Sequence, residues 1–134
     1  MICVEVAHAL KEAGLTWKPA TGDRFVIPDR DLDDQVFVLS DMTIEVYNVP
    51  DGRVIGFNGT TEWALDSVAQ DDALWLPRED QLRELLRATF RSLTRLEDSF
   101  EVEVELGGQR MRFDHPDVAE AYGLALLELV GRSR

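Results

Sequence analysis

Alternating apolar and acidic residues predict a β-strand with one buried face over residues 100–106. Gly107 and Gly108 suit a two-residue turn, which sends the chain back through a second strand. In this hairpin the charges and the apolar side chains match on opposite faces. The predicted pairs are Glu105 with Arg110, Glu103 with Arg112, Val104 with Met111, and Val102 with Phe113.

Further β-rich segments occupy residues 35–39, 43–49 and 53–57, after a shorter one at 24–27. The residues at 49–52, Val-Pro-Asp-Gly, suit a type I turn with glycine in the left-handed position. This turn predicts a hairpin between the last two segments, and the short connections predict a meander of all three. Both faces of residues 35–39 are apolar, which favours a central strand covered on both sides.

Apolar residues at helical spacing predict a helix over residues 4–13, ended by Gly14. A second helix is predicted over 61–69 and a third from Pro77 to about residue 93. Pro116 opens the final helix. Its core-facing positions are Val118, Ala121, Tyr122, Ala125, Leu126 and Leu129.

Helices and antiparallel strands are mixed without the βαβ rhythm of a parallel sheet, so the predicted class is α+β. We expect an antiparallel β meander and a β-hairpin packed against several short helices. The 134 residues, 45% of them hydrophobic, suit a single domain spanning residues 1–134.

The net charge of −12 argues against binding of nucleic acid through a basic face, because phosphates are repelled. A protein partner, or solubility alone, is compatible with this charge. The apolar runs are too short to span a membrane, and the apolar residues at the start follow no cationic region. We therefore expect a cytosolic protein that binds neither nucleic acid nor membrane.

The residues that could perform catalysis or bind a metal are few. Cys3 is the only cysteine, and His8 and His115 are the only histidines. A phosphate-binding loop is excluded, since the required glycine and lysine pattern does not occur. We predict no cofactor, no metal site and no catalytic set, and we do not expect an enzyme.

An acidic run, Asp29, Asp31 and Asp33, has the spacing of the first ligands of a calcium loop. Position six of that loop is Asp34 instead of glycine, and position twelve is Ser40 instead of glutamate. A solvated acidic turn explains the run better.

The junction at residues 57–66 concentrates polar groups around one large aromatic residue. A helix start here could offer backbone N–H groups to an anion, although Glu62 and the threonines can cap it locally. Trp63 is either a core residue or, with Asp66 one turn away, part of an exposed interface. The candidate interaction residues are Asn58, Thr60, Thr61, Glu62, Trp63 and Asp66.

An arginine ridge is predicted on the third helix, where Arg83, Arg87, Arg91 and Arg95 recur every four residues. The ridge is either a solvated face stabilised by ion pairs, such as Glu79 with Arg83, or a surface for an acidic partner or a second subunit. Arg83, Arg87 and Arg91 complete the candidate interaction residues.

Five segments together resemble a family of small actinobacterial proteins, some of which carry the label pilus assembly protein. These segments are VAHALKEAG at 6–14, GDRFVIP at 22–28, VFVLSDMTIEV at 36–46, GFNGTTEWALDSV at 56–68 and LWLPREDQLRELL at 74–86. The resemblance implies a cytosolic bacterial protein associated with pilus assembly or secretion. It implies no functional residues.

The leading hypothesis is a non-enzymatic domain that binds another protein through residues 58–66 or through the arginine ridge. A homo-oligomer is compatible with it. The alternative is a small-ligand or anion-binding domain, or a minor hydrolase, with a pocket near residues 58–66.

Overall fold

The computed structural model describes residues 1–28, 36–39, 45–49, 52–56, 67–69 and 73–132. The chain divides into two compact units. The first unit comprises Met1–Thr16 and Leu76–Arg134, and the second comprises Trp17–Trp75. The single domain expected from the sequence stays a prediction.

Helices and antiparallel strands make up the described residues, which confirms the α+β class. In chain order the elements are α1 (Val4–Ala13), β1 (Arg24–Val26), β2 (Phe37–Val38), β3 (Glu45–Val49), β4 (Gly52–Gly56), β5 (Ser67–Ala69), β6 (Leu74–Leu76), α2 (Glu79–Leu86), a 3-10 turn (Arg87–Thr89), β7 (Phe90–Arg95), β8 (Phe100–Leu106), β9 (Gln109–His115) and α3 (Val118–Arg132).

The first unit contains a three-stranded antiparallel sheet in the order β7-β8-β9. The predicted hairpin is confirmed in every pair, because Glu105 lies opposite Arg110, Glu103 opposite Arg112, Val104 opposite Met111, and Val102 opposite Phe113. Gly107 and Gly108 both have positive φ, as the tight turn requires.

Helix α3 packs on β8 and β9 and also contacts α1 and α2. Four of its predicted core positions are buried, namely Ala121, Tyr122, Ala125 and Leu126. The Tyr122 ring lies 5.8 Å from the Phe90 ring, between centroids. Helix α3 therefore covers one face of the sheet.

The start of α3 is fixed by a capping residue that the sequence analysis did not single out. Asp117 precedes the first helical residue, and its Oδ1 accepts a hydrogen bond from the Ala119 N–H at 2.8 Å. The Asp117 N–H donates to His115 Nδ1 at 2.9 Å. His115 thus helps to close the corner between β9 and α3.

The predicted third helix ends early. Helix α2 stops at Leu86, and the chain enters β7 at Phe90. Phe90 and Leu93 have the three-residue spacing of a helix, yet they lie opposite Val104 and Val102 of β8. A β-bulge after Phe90 adds one residue, so a spacing of three also keeps both side chains on one face of the strand.

The second unit contains two sheets, in the orders β2-β1-β6 and β3-β4-β5. The hairpin of β3 with β4 is confirmed, with Val49 opposite Gly52. The predicted meander has different members, because its third strand is β5 and β2 pairs with β1. Phe25 lies opposite Phe37, and their rings stack with centroids 5.4 Å apart, which favours this pairing.

Two smaller expectations in this unit are also wrong. Strand β2 lies at a sheet edge, and Val38 is 57% exposed instead of covered. Residues 67–69 form β5, with Val68 opposite Ile55 of β4, instead of the last turn of a helix. Backbone pairing with β4 replaces the helical hydrogen bonds there. Residues 61–66 of that predicted helix lie outside the described residues.

An aromatic cluster forms a core in the second unit. Trp17 and Trp75 stack with ring centroids 6.4 Å apart. A buried carboxylate that sequence reasoning missed lies beside them. Asp23 Oδ2 accepts hydrogen bonds from Trp17 Nε1 at 2.9 Å and from the Ala20 N–H at 3.0 Å.

Gly123 marks a close approach of the N-terminal segment to α3. A Cβ atom at this position would lie 3.1 Å from Val6 Cγ1 and 3.3 Å from Ile2 Cγ2. Gly131 lies on the same helix, and a Cβ there would meet nothing within 4 Å. The two glycines therefore differ in packing and share a helical backbone.

We expect Gly123→Val to lower the free energy of unfolding by about 1–3 kcal/mol, because the added methyl groups overlap Val6 and Ile2. Gly131→Val is the matched control and should change it by less than about 0.5 kcal/mol. Urea denaturation followed by circular dichroism measures both. Equal effects of the two substitutions would contradict the close packing at Gly123.

Candidate interaction surface

The polar junction at residues 57–66 lies outside the described residues, and so does the acidic run that begins at Asp29. The candidates at this junction are Asn58, Thr60, Thr61, Glu62, Trp63 and Asp66. Their assignments stay predictions. The other candidates, Arg83, Arg87 and Arg91, belong to the first unit.

The arginine ridge does not form on one helix. Arg83 lies on α2, Arg87 in the 3-10 turn, and Arg91 and Arg95 on β7. The spacing of four residues therefore places these arginines on three successive elements instead of on one face of a helix. The physical reason is the end of α2 at Leu86, where the backbone leaves the helical conformation.

Arg87 has a strained backbone. Its φ of 53° and ψ of −133° lie near the first central position of a type II′ turn, which normally holds glycine. Among the residues described it is the only one other than glycine with positive φ. Such a conformation costs about 1–3 kcal/mol and persists only where the surroundings impose it.

The side chains of Arg83 and Arg87 are exposed, and the described residues offer them no ion pair. Within the described residues neither guanidinium has a hydrogen-bond or ion-pair partner, and the expected Glu79–Arg83 pair does not form. Arg78 pairs with Asp80 instead, at 3.1 Å between Nε and Oδ1, and this hydrogen bond lowers the pKa of Asp80. Two cations thus remain available at the corner between α2 and β7.

Arg91 has a different role from these two arginines. Its Nη1 donates to the Ala88 carbonyl at 2.6 Å and to the Phe90 carbonyl at 3.3 Å, while its Nη2 lies 3.0 Å from Glu105 Oε2. The Arg91 hydrogen bond, with a smaller contribution from Arg110, lowers the pKa of Glu105. Arg91 is therefore a structural residue that closes the start of β7.

The outer face of the β7-β8-β9 sheet carries a ladder of ion pairs. Arg112 Nε lies 3.0 Å from Glu103 Oε1 and 3.8 Å from Glu101 Oε1. Arg110 approaches Glu103 at 3.6 Å and Glu105 at 3.5 Å. Glu103, followed by Glu101, raises the pKa of Arg112. Most charge on this face is thereby neutralised within the sheet.

One pair in this sheet is unfavourable. Asp114 of β9 lies directly opposite Glu101 of β8, so two carboxylates share one cross-strand position. Extending the predicted hairpin by one residue beyond Phe113 would have shown this pair in the sequence. Within this sheet the Asp114 carboxylate therefore faces a like charge on the neighbouring strand.

The cysteine and the histidines do not come together as a catalytic set. Cys3 is exposed and its thiol donates to Glu120 Oε2 at 3.5 Å; partial burial and the Glu120 carboxylate raise its pKa. A raised pKa keeps the thiol protonated and weakly nucleophilic. His8 lies 3.7 Å from Glu12 on the exposed face of α1. Within the described ranges no cluster of acidic, histidine and cysteine side chains could hold a metal ion.

Comparisons with known proteins do not add an identity. A scan of the chain against protein families finds no match, and neither curated proteins nor solved structures match it. None of the helices in the described part of the chain has the length and apolar character needed to cross a membrane.

Replacing Arg87 with glycine should raise the free energy of unfolding by about 1 kcal/mol. Relief of the backbone strain exceeds the entropy that glycine adds to the unfolded chain. The matched control is Arg83→Gly, within α2, which should lower the free energy of unfolding by about 1 kcal/mol. Chemical denaturation of both variants tests the prediction, and effects of the same sign would contradict the strain at Arg87.

Replacing Arg91 with alanine should raise the pKa of Glu105 towards its ordinary value, because the donor that stabilises the carboxylate is lost. A carboxylate with a lowered pKa stabilises the folded state above its ordinary pKa and loses that contribution as the pH falls through the lowered value. The variant should therefore lose less stability than the wild type on acidification. Carboxyl carbon shifts of Glu105, followed by NMR, measure the pKa. An unchanged value would disprove the Arg91–Glu105 hydrogen bond.

Proposed function

We propose that the protein is a non-enzymatic domain that binds another protein through the corner between α2 and β7. The observation that carries this proposal is Arg87, a solvent-exposed arginine held in a conformation normal for glycine. Strained residues of this kind cluster where a ligand or partner is bound.

The charge of the corner supports an acidic partner segment. Arg83 and Arg87 lie within one short stretch of a chain whose net charge is −12, and neither is neutralised by the described residues. A guanidinium presents a fork of N–H donors that suits bidentate binding of a carboxylate. The free energy that strain at Arg87 costs in folding is offset if its guanidinium gains contacts in the complex.

The resemblance to the actinobacterial family also supports a cellular context for this partner. We infer that the partner is a bacterial protein associated with pilus assembly or secretion, and that the two proteins bind each other in the cytosol. Binding of a small ligand or anion near residues 58–66 remains the alternative function.

Affinity capture with mass spectrometry tests the proposal, using wild type, Arg87→Glu, Arg87→Lys and the control Arg95→Glu. We expect one specific partner with the wild type and with Arg95→Glu, and at least a roughly tenfold lower recovery with Arg87→Glu, since charge-assisted bidentate bonds are lost. Arg87→Lys should recover an intermediate amount, because it keeps the charge and loses the fork. Circular dichroism checks that each variant folds. Equal recovery with Arg87→Glu and wild type, or recovery of no specific partner, would disprove the proposal.

A further inference from the structure

The two edges of the β7-β8-β9 sheet differ in their protection. The β7 edge carries a bulge after Phe90, and the Arg91 guanidinium occupies the Ala88 and Phe90 carbonyl groups. Bulges and charged side chains of this kind prevent pairing with another strand. The β9 edge has no bulge, since all seven residues from Gln109 to His115 pair regularly with β8.

The charges along β9 are complementary to themselves. Arg112 is the central residue of Gln109–His115, so a two-fold axis at Arg112 aligns the strand antiparallel to a second copy over its full length. In that register Arg110 lies opposite the partner subunit's Asp114. By symmetry Asp114 lies opposite the partner subunit's Arg110.

We propose that two copies of this chain associate through antiparallel pairing of β9 with β9, which joins two three-stranded sheets into one of six strands. The pairing places a cation beside each Asp114, and this relieves the repulsion from Glu101 within the subunit. Arg110 is well placed for the role, because 64% of its side chain is exposed.

The two Arg112 side chains meet at the axis without a net excess of charge. Each is already held by Glu103 at 3.0 Å and by Glu101 at 3.8 Å. The carboxylates thus screen one guanidinium from the other. On the inner face, half-buried Met111 lies opposite the partner subunit's Phe113, a favourable sulfur–aromatic combination.

Other registers are less favourable. A shift of two residues in one direction places Arg110 opposite the partner subunit's Arg112, which brings like charges together twice. A shift in the other direction limits the paired strand to residues 111–115, because Arg110 would then face the partner subunit's Pro116, which follows the strand. The register centred on Arg112 is the one that combines full length with opposite charges.

A charge exchange tests both the dimer and its register. Asp114→Arg places arginines opposite each other at both symmetric positions, and Arg110→Asp does the same with aspartates. Each variant alone should raise the dimer dissociation constant by about tenfold or more, and a tenfold change corresponds to about 1.4 kcal/mol. A one-to-one mixture of the two variants should recover association within about threefold of the wild type. In the mixed dimer, position 110 of each subunit again faces an opposite charge at position 114 of the other.

Analytical ultracentrifugation of the full chain measures association, and Asp98→Arg is the matched control with the same change of charge at an exposed turn. Asp98→Arg should dimerise like the wild type. Thermal unfolding of Asp114→Arg should show a fold at least as stable as that of a wild-type monomer, since the repulsion from Glu101 is gone. A wild type that stays monomeric at about 100 µM, where an interface with a micromolar dissociation constant would be filled, would overturn the proposal. An Asp114→Arg variant that dimerises normally, or a mixture that stays monomeric, would overturn it as well.

Discussion

The first unit depends on the burial of α3. This helix contacts β8, β9, α1 and α2, and its buried residues include Tyr122, Ala125 and Leu126. Each large apolar side chain removed from water contributes about 1.5–3 kcal/mol. Gly123 lets the N-terminal segment approach closely enough to share this core. Because α3 covers the inner face of the sheet, the glutamates and arginines of the strands must occupy the outer face.

Ion pairs on that outer face neutralise most of the positive charge near it. Arg91, Arg110 and Arg112 are held by Glu101, Glu103 and Glu105, so the ladder stabilises the sheet. The first unit has 14 acidic and 10 basic side chains, whereas the second has 12 acidic and 4 basic ones. The described residues do not neutralise the charges of Arg83 and Arg87, which are therefore a local exception in an acidic chain.

The two proposed surfaces are compatible with each other. The Arg83 and Arg87 corner precedes β7, and the dimer edge is β9, which lies on the other side of β8. One sheet can thus pair with a second copy at one edge and leave the arginine corner open at the opposite edge. A six-stranded dimer would present two such corners at its outer ends, and a divalent partner would bind it more tightly through avidity.

The sequence by itself determined the elements whose pairing is local. The hairpin from Phe100 to Phe113 was predictable, because adjacent strands joined by Gly107 and Gly108 have one register that matches both faces. Helix α1 was equally predictable from its apolar spacing and from Gly14. Tertiary contacts decided the rest. Phe90 and Leu93 continue a helical pattern, but pairing with β8 through a bulge makes them strand residues, and this separates the arginines that the sequence placed on one ridge. Strand β2 likewise takes its partner from the stacking of Phe37 on Phe25, across a connection too long for local rules to choose between partners. A pattern of side chains states which faces must be buried, whereas only the assembled chain supplies the surface that buries them.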